Sequence, residues 1–459
     1  MKRKIKLLPL AVAGALLTAG AAHAEGFSFN GGYFRAGAGD GASKGHDRTC
    51  YQAPGSEWKY RLGNECDYYG EFMFSYGVGK ADDTQYNIYF MPNFYNGGIS
   101  AGDTASPSGG VATTVHVEQL YGEIKAPDFA KNVTFWAGSR FYGRQNGNQV
   151  DTFVVNMSGT GGGADIGLGG MMKLGLAYFR SDSFGAYPTT VGFNAFGTAG
   201  QSSVGSPGTR INVDLTGVPA GPNNSLRFTG TYTKGDFTGG KTGTAFSIQD
   251  SMDPFLGGQN FIWLQVAEGS AYLNQNFNSF SGNGLISGSD VKHWRIADSL
   301  NWQVTPVFGG EGFAAYQEDK CGATCAGGVD VFHEGTVKHA SIGVRPAFGV
   351  TQNFKIQGEV SFDSVKSQAL YNGAAIGTEN MEKLTIAPTV SFGSTYWSRP
   401  EIRFYVTSAH WNGGTNNAFN LLSGLTPASC TATPSSCGYG ALGGTTNGTS
   451  YGFQIEAWW

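Results

Sequence analysis

The sequence predicts an all-β chain: a closed transmembrane antiparallel β-barrel of about 18 strands. Three observations carry that expectation. Apolar and polar residues alternate over segments of about ten residues, the chain begins with an export leader, and it ends on an amphipathic strand closing in Trp458 and Trp459.

The alternation is clearest late in the chain. Phe354, Ile356, Gly358, Val360 and Phe362 fall on one parity, against Lys355, Gln357, Glu359, Ser361 and Asp363 on the other. Leu384, Ile386, Pro388, Val390 and Phe392 repeat this against Lys383, Thr385, Ala387, Thr389 and Ser391, and earlier runs at Ile211–Leu215 and Leu226–Tyr232 do the same. A period of two puts alternate side chains on opposite faces, which is a strand with one apolar face. A soluble sandwich alternates too. Segments long enough to cross a bilayer at a tilt favour the barrel, as do aromatics near segment ends such as Tyr86, Tyr89, Phe90, Phe94 and Tyr95. A closed barrel is also the only sheet with no unpaired edge in lipid.

The leader is residues 1–24. Lys2, Arg3, Lys4 and Lys6 precede an apolar run from Leu7 to Gly20, and Ala22-His23-Ala24 gives a small-x-small cleavage pattern. Pro9 and Gly14 interrupt the run, which argues against a membrane anchor. Residues 25–459 then form one barrel domain without a linker-like break. At roughly 24 residues per strand, its 435 residues give about 18 strands. Gly/Ser/Thr-rich stretches at 97–114, 185–207 and 423–449 are the expected outward loops.

Removing the leader takes four of the 30 basic residues and leaves 26 against 34 acidic, a balance of −8. With no basic block, a nucleic-acid partner is not expected. Mean hydropathy is only −0.20, because a barrel confines its apolar residues to one face. The cysteines form three close pairs, Cys50/Cys66, Cys321/Cys325 and Cys430/Cys437, which read as loop disulfides after export. No His or Cys stands at metal-finger spacing from Cys321 and Cys325, so neither a metal nor another cofactor is expected.

Two other patterns suggest chemistry. Residues 235–242 read GDFTGGKT and satisfy the phosphate-loop spacing, but no helix is predicted after them, and they read as a hairpin loop. Ser408 and His410 share the outward parity of their strand, which would suit a lipid-facing hydrolase. No orienting third group is identifiable, and the enzyme reading ranks last.

Several motifs together resemble one family. Residues 60–66 read YRLGNEC, residues 136–144 read WAGSRFYGR with Asp151 following, and residues 343–346 read GVRP. Residues 362–368 read FDSVKSQ, residues 397–404 WSRPEIRF, and the chain ends IEAWW. This series, from Tyr33 to Trp459, resembles the maltoporins, the sugar-specific porins of the Gram-negative outer membrane. The resemblance implies an eighteen-stranded barrel, a homotrimer, and a pore narrowed by an inward-folded third loop. It implies an aromatic ladder at Tyr33, Tyr69 and Trp458 on which sugars slide. Arg35, Arg61, Glu71, Arg144 and Asp151 fall on its polar track, and Cys50 and Cys66 on its first-loop disulfide, expected to pin that loop over a neighbouring subunit.

Parity supports part of this, since Trp458 lies with Gln454 and Glu456, opposite Tyr451, Phe453 and Ile455, and so faces the lumen. A doubled glycine at Gly31-Gly32 shifts parity beside Tyr33 and reads as a bulge. The chain also departs from the family. His116 stands for a polar-track Arg; Asn146, Asn148 and Phe153 replace acidic, His and Tyr constriction residues. Val350 is read as replacing a ladder Trp, and Gln259 lies near a ladder Phe. Phe94 or Tyr95 is the candidate for an aromatic donated between subunits. The expected function is facilitated diffusion of sugars through a pore in outer-membrane lipid, with a weakly selective general porin as the alternative.

Overall fold

A computed structural model describes residues 26–42, 49–96, 114–181, 207–237, 239–278, 291–321, 335–371, 373–423 and 445–459. The proposed leader and Cys325, Cys430 and Cys437 lie outside them. Eighteen antiparallel strands form one sheet, each paired with its neighbours in the chain. The sheet closes where the first strand, Gly26–Gly41, meets the last, Asn447–Trp458, in the register Tyr33↔Trp458 to Gly41↔Ser450.

Alternation along each strand turns the barrel inside out relative to a soluble protein. In the strand Phe354–Lys366, Lys355 is 0% exposed, whereas Ile356 on the outer face is 44% exposed. Ile342, Leu384, Ile386, Phe404 and Val406 extend the exposed apolar belt around the wall. Lipid covers such a belt without the cost that water would impose.

Connections differ at the two ends. Tight two-residue turns at 82–83, 170–171, 222–223, 256–257, 306–307 and 352–353 close one end. Asp82 (φ 53°) and Asn223 (φ 57°) adopt the left-handed backbone that matches hairpin twist. The long described connections 49–67 and 141–158 leave the other end, and most of the expected outward-loop sequence at 97–114, 185–207 and 423–449 lies outside the described residues. The nine-residue turn 392–400 is an exception at the tight-turn end and folds back into the mouth. Lys355 Nζ donates to the carbonyls of Thr395 (2.9 Å) and Tyr396 (3.0 Å) there. The phosphate-loop pattern at 235–242 joins the strands Asn224–Gly235 and Thr242–Phe255, with no helix among its described residues.

The first-loop expectation needs correcting. Cys50 and Cys66 are bonded, but the loop they close lies inside its own barrel rather than over a neighbour. Lys383 Nζ donates to the carbonyls of Tyr51 (3.0 Å) and Tyr60 (3.2 Å). The Tyr60 hydroxyl meets Ser341 Oγ at 2.8 Å, and Leu62 N donates to Glu359 at 3.1 Å. The inner wall is rich in polar groups, and the loop backbone satisfies them. Cys321 ends the strand Phe308–Cys321.

Candidate functional site

Among the described residues, 141–158 fold into the lumen and, together with the first loop, narrow it. They form a small hairpin, Gln145–Gly147 with Thr152–Val155, around a helical turn at Asn148–Val150. Apolar burial holds it in place. Val150, Val154, Val155 and Met157 pack with Trp263, Ala297 and Phe313 of the wall and with Trp58 and Tyr60 of the first loop. Burying such side chains is worth roughly 1.5–3 kcal/mol each. Wall side chains satisfy the hairpin's backbone: Arg295 and Gln265 both donate to Val154 O (3.1 Å each), and Arg210 donates to Met157 O (2.9 Å). The first loop adds Arg61 N to Gln149 O at 3.1 Å. Residues 270–278 also turn inward, where Asn156 N reaches Asn274 O at 2.7 Å.

Along the wall opposite this apolar cluster runs a row of rings. Trp397 lies 5.9 Å from Trp458, Trp458 stacks 6.4 Å from Tyr33, Tyr33 is 6.0 Å from Tyr69, and Tyr69 is 6.4 Å from Tyr95. The row forms at the seam, where the first strand lies between the last and Tyr68–Ala81, and Tyr33 pairs with both Trp458 and Glu71. The bulge at Phe29/Gly31 is present, and it sets the phase that turns Tyr33 inward. Guanidinium groups back the rings: Arg399 Cζ is 3.8 Å from the Trp458 centroid, Arg61 Cζ 5.9 Å from Tyr33, and Arg35 Cζ 5.5 Å from Tyr69.

Ion pairs tie these arginines together. Arg35 binds Glu65 (2.9 Å), Asp67 (2.5 Å) and Asp151 (2.9 Å). Arg61 binds Glu65 (2.6 Å) and Glu456 (2.8 Å) and donates to Tyr33 Oη (2.5 Å) and Asn148 Oδ1 (3.0 Å). Burial alone would raise the Glu65 carboxyl, but Arg35 and Arg61 outweigh it and hold it down at about 2. Arg399 and Arg403 both reach Glu401 and Glu456. Arg144 is different. No ion pair is found for it among the described residues, and its guanidinium lies between the rings of Phe141 (3.7 Å) and Phe153 (3.9 Å).

Residues 27–459 match the family model described as LamB porin. The chain belongs to the LamB porin family. This LamB porin is therefore an outer-membrane channel and not an enzyme. It is also similar to solved structures at low identity. OccAB1 of Acinetobacter baumannii is 10% identical over 96% of this chain and 99% of its own, with a TM-score of 0.48. Pseudomonas aeruginosa OccD3 (OpdP) is 10% identical over 96% and 92%, with a TM-score of 0.46. OccK2 (OpdF) of P. aeruginosa, in complex with glucuronate, is 9% identical over 96% and 98%, with a TM-score of 0.46.

The porin's lumen brings together most of the residues singled out from the sequence, in altered roles. Tyr33, Tyr69 and Trp458 share one track, and Tyr69 donates to Glu71 at 2.5 Å. His116 shares the lumen face through the register Glu71↔Asn93↔His116. Asn146 is exposed on the hairpin. Asn148 is engaged, accepting from Arg61 and donating to Glu311 at 2.8 Å. Arg35 and Arg61 are buried behind the rings rather than laid bare to the lumen.

Two expectations fail on geometry, the lumen position of Val350 and the girdle placement of Tyr89 and Tyr95. Val350 shares the outer face with Phe348 and Val344, so it replaces no lumen ring. At the adjacent inward position, a Cβ on Gly349 would meet Ser394 of the folded-back turn at 2.8 Å. That turn supplies Trp397 instead. Gln259 bonds Asp253 at 2.6 Å, and the inward aromatic is Phe261, two residues on, 5.8 Å from Trp263. Tyr89 and Tyr95 are not girdle residues. Tyr89 stacks on Tyr121 at 4.6 Å and donates to Glu123, while Tyr95 extends the ring row of its own barrel and Phe94 packs outward on Phe72. Ser408 and His410 do face outward, opposite Leu384 and Glu382.

Sequence reasoning missed Trp397, Tyr95, Phe261, Glu65, Asp67, Glu401 and Glu456 as parts of the site. Parity already placed Glu456 beside Trp458. Trp397 and Glu65 lie in turns, where no period reveals direction.

Proposed function

We propose that this porin admits carbohydrates by facilitated diffusion, through repeated weak contacts along the ring row. The arrangement that supports this is the unbroken series Trp397, Trp458, Tyr33, Tyr69 and Tyr95. A sugar presents C–H faces to rings and hydroxyls to charged groups, and this wall offers both side by side. Glu71, Arg144, Asp151 and Asn146 are the hydroxyl partners, with His116 nearby and Phe153 holding Arg144. Arg35, Arg61 and Asn148 act behind them as positioning residues. Affinity near 1 mM, about 4 kcal/mol, biases flux without trapping the solute. Glucose, sucrose, maltose and longer maltodextrins, titrated against single-channel conductance in a planar bilayer, are expected to block the current in the millimolar range. Conductance that falls only with solution viscosity would instead mean a weakly selective pore.

The same reading includes export through a leader at residues 1–24 and assembly as a homotrimer. The outer face at the seam supports assembly. There Phe29 and Phe72 lie 5.8 and 5.9 Å from Trp459, and Phe72 packs on Phe94, forming a broad aromatic surface.

A further inference from the structure

The outer wall bears a charge pattern that the pore does not use. At the long-loop end of four successive strands, Lys292, Lys320, Lys338 and Lys366 point outward, on the same parity as the apolar belt. The register sets Lys292 directly opposite Lys320 and Lys338 directly opposite Lys366. Like charges in facing positions destabilise a strand pair unless an anion lies between them. The protein supplies little of that anion. Glu318 lies 3.5 Å from Lys338, and Glu268 stands across from Lys292. Among the described residues, four lysines stand against two glutamates, which leaves this arc positive.

The surface beneath the lysines is built for an amphiphile. One step toward the membrane centre, Trp294 and Tyr316 pack at 5.2 Å, a pairing suited to the interface. A groove of about 570 Å³, lined also by Glu268 and Glu318, runs from Lys292 and Lys320 past Trp294 to Phe246 and Val266. Charge, aromatic and aliphatic surface thus follow one another in the order of head group, interface and acyl chain.

We propose that this arc binds a multiply acylated, phosphorylated glycolipid of the leaflet on the long-loop side. Its phosphates sit at the Lys292–Lys320 pair, and an acyl chain lies along Trp294, Phe246 and Val266. A second copy of the chain is the poorer occupant, since it would bury facing lysines without enough carboxylates to pair them. Basic clusters at a membrane surface attract anionic lipid with a strength that scales with the number of lysines.

The test uses the full chain in dodecyl maltoside, with native mass spectrometry following the binding of a hexa-acylated, bisphosphorylated glucosamine disaccharide lipid. The unaltered barrel is expected to hold it, and Lys292→Gln with Lys320→Gln to weaken it at least about tenfold. Lys131→Gln, at the tight-turn end, is expected to leave it unchanged. Single-channel conductance checks that the variants fold, because none touches the lumen. The dephosphorylated lipid, tested on the unaltered protein, is expected to bind as weakly as the double variant and decides the matter without mutation. Equal binding by both lipids, or by the double variant, overturns the proposal. So does displacement of the lipid by millimolar inorganic phosphate, which would assign the site to a free anion. Disulfide capture of two copies through Lys320→Cys would likewise assign the arc to a protein interface.

Discussion

At the scale of single residues, the contrast between Val350 and Trp397 shows how far direction matters. Val350 lies in a regular strand and faces lipid, whereas Trp397 lies in a turn and faces Trp458. Trp397→Ala is expected to weaken sugar block roughly two- to tenfold, the range for one lost ring contact, with little change in open conductance. Val350→Trp is expected to leave sugar block unchanged. Current recordings on the two variants check both, and a gain of block from Val350→Trp would place that residue in the lumen. Trp458→Ala should cost more than Trp397→Ala. It also uncovers Arg399, which lies against that indole and pairs with Glu456.

Elements, rather than residues, decide the bore. The hairpin at 141–158 and the loop closed by Cys50 and Cys66 hold each other, and Glu65 is the hinge of their electrostatics. Its carboxyl is held at about 2, below the ordinary 4.5, since Arg35 and Arg61 outweigh the upward push of burial. A carboxyl lowered on folding gives stability that is full above its unfolded value and is lost as pH falls through its folded value. The loop is therefore expected to loosen progressively between about pH 4.5 and 2. Conductance noise should rise across that window. Glu65→Gln should show the noise already at neutral pH, without the acid step. A flat response down to pH 2 in the unaltered protein would remove Glu65 from this role. Burial raises the Glu57 carboxyl of the same loop, an effect that Arg295 opposes, so its shift runs opposite to that of Glu65.

For the whole molecule, closure of the first strand on the last leaves no free edge among the described barrel strands, and association must use side-chain faces. Light scattering in mild detergent is expected to give a mass near three times 48.5 kDa less the leader, and the assembly to resist detergent until heated. Phe29→Ser with Phe72→Ser, on the aromatic outer face, is expected to lower that dissociation temperature. A purely monomeric barrel would exclude the homotrimer.

What the sequence determined by itself was whatever follows a period of two. The inside and outside of Lys355 and Ile356, the inward turn of Trp458 and the barrel class all follow from alternation, because a strand offers a side chain only two directions. The close pairing of Cys50 and Cys66 was legible for a similar reason, as few residues separate them. Tertiary structure alone decided what happens where the period stops. The first loop turns into its own barrel because Lys383, Ser341 and Glu359, distant in sequence, present polar groups that its backbone satisfies. The turn at 392–400 folds inward because Lys355 holds its carbonyls. Its Trp397 thereby joins a row of rings whose members come from both ends of the chain. No local pattern encodes that meeting, because it depends on closure of the whole sheet.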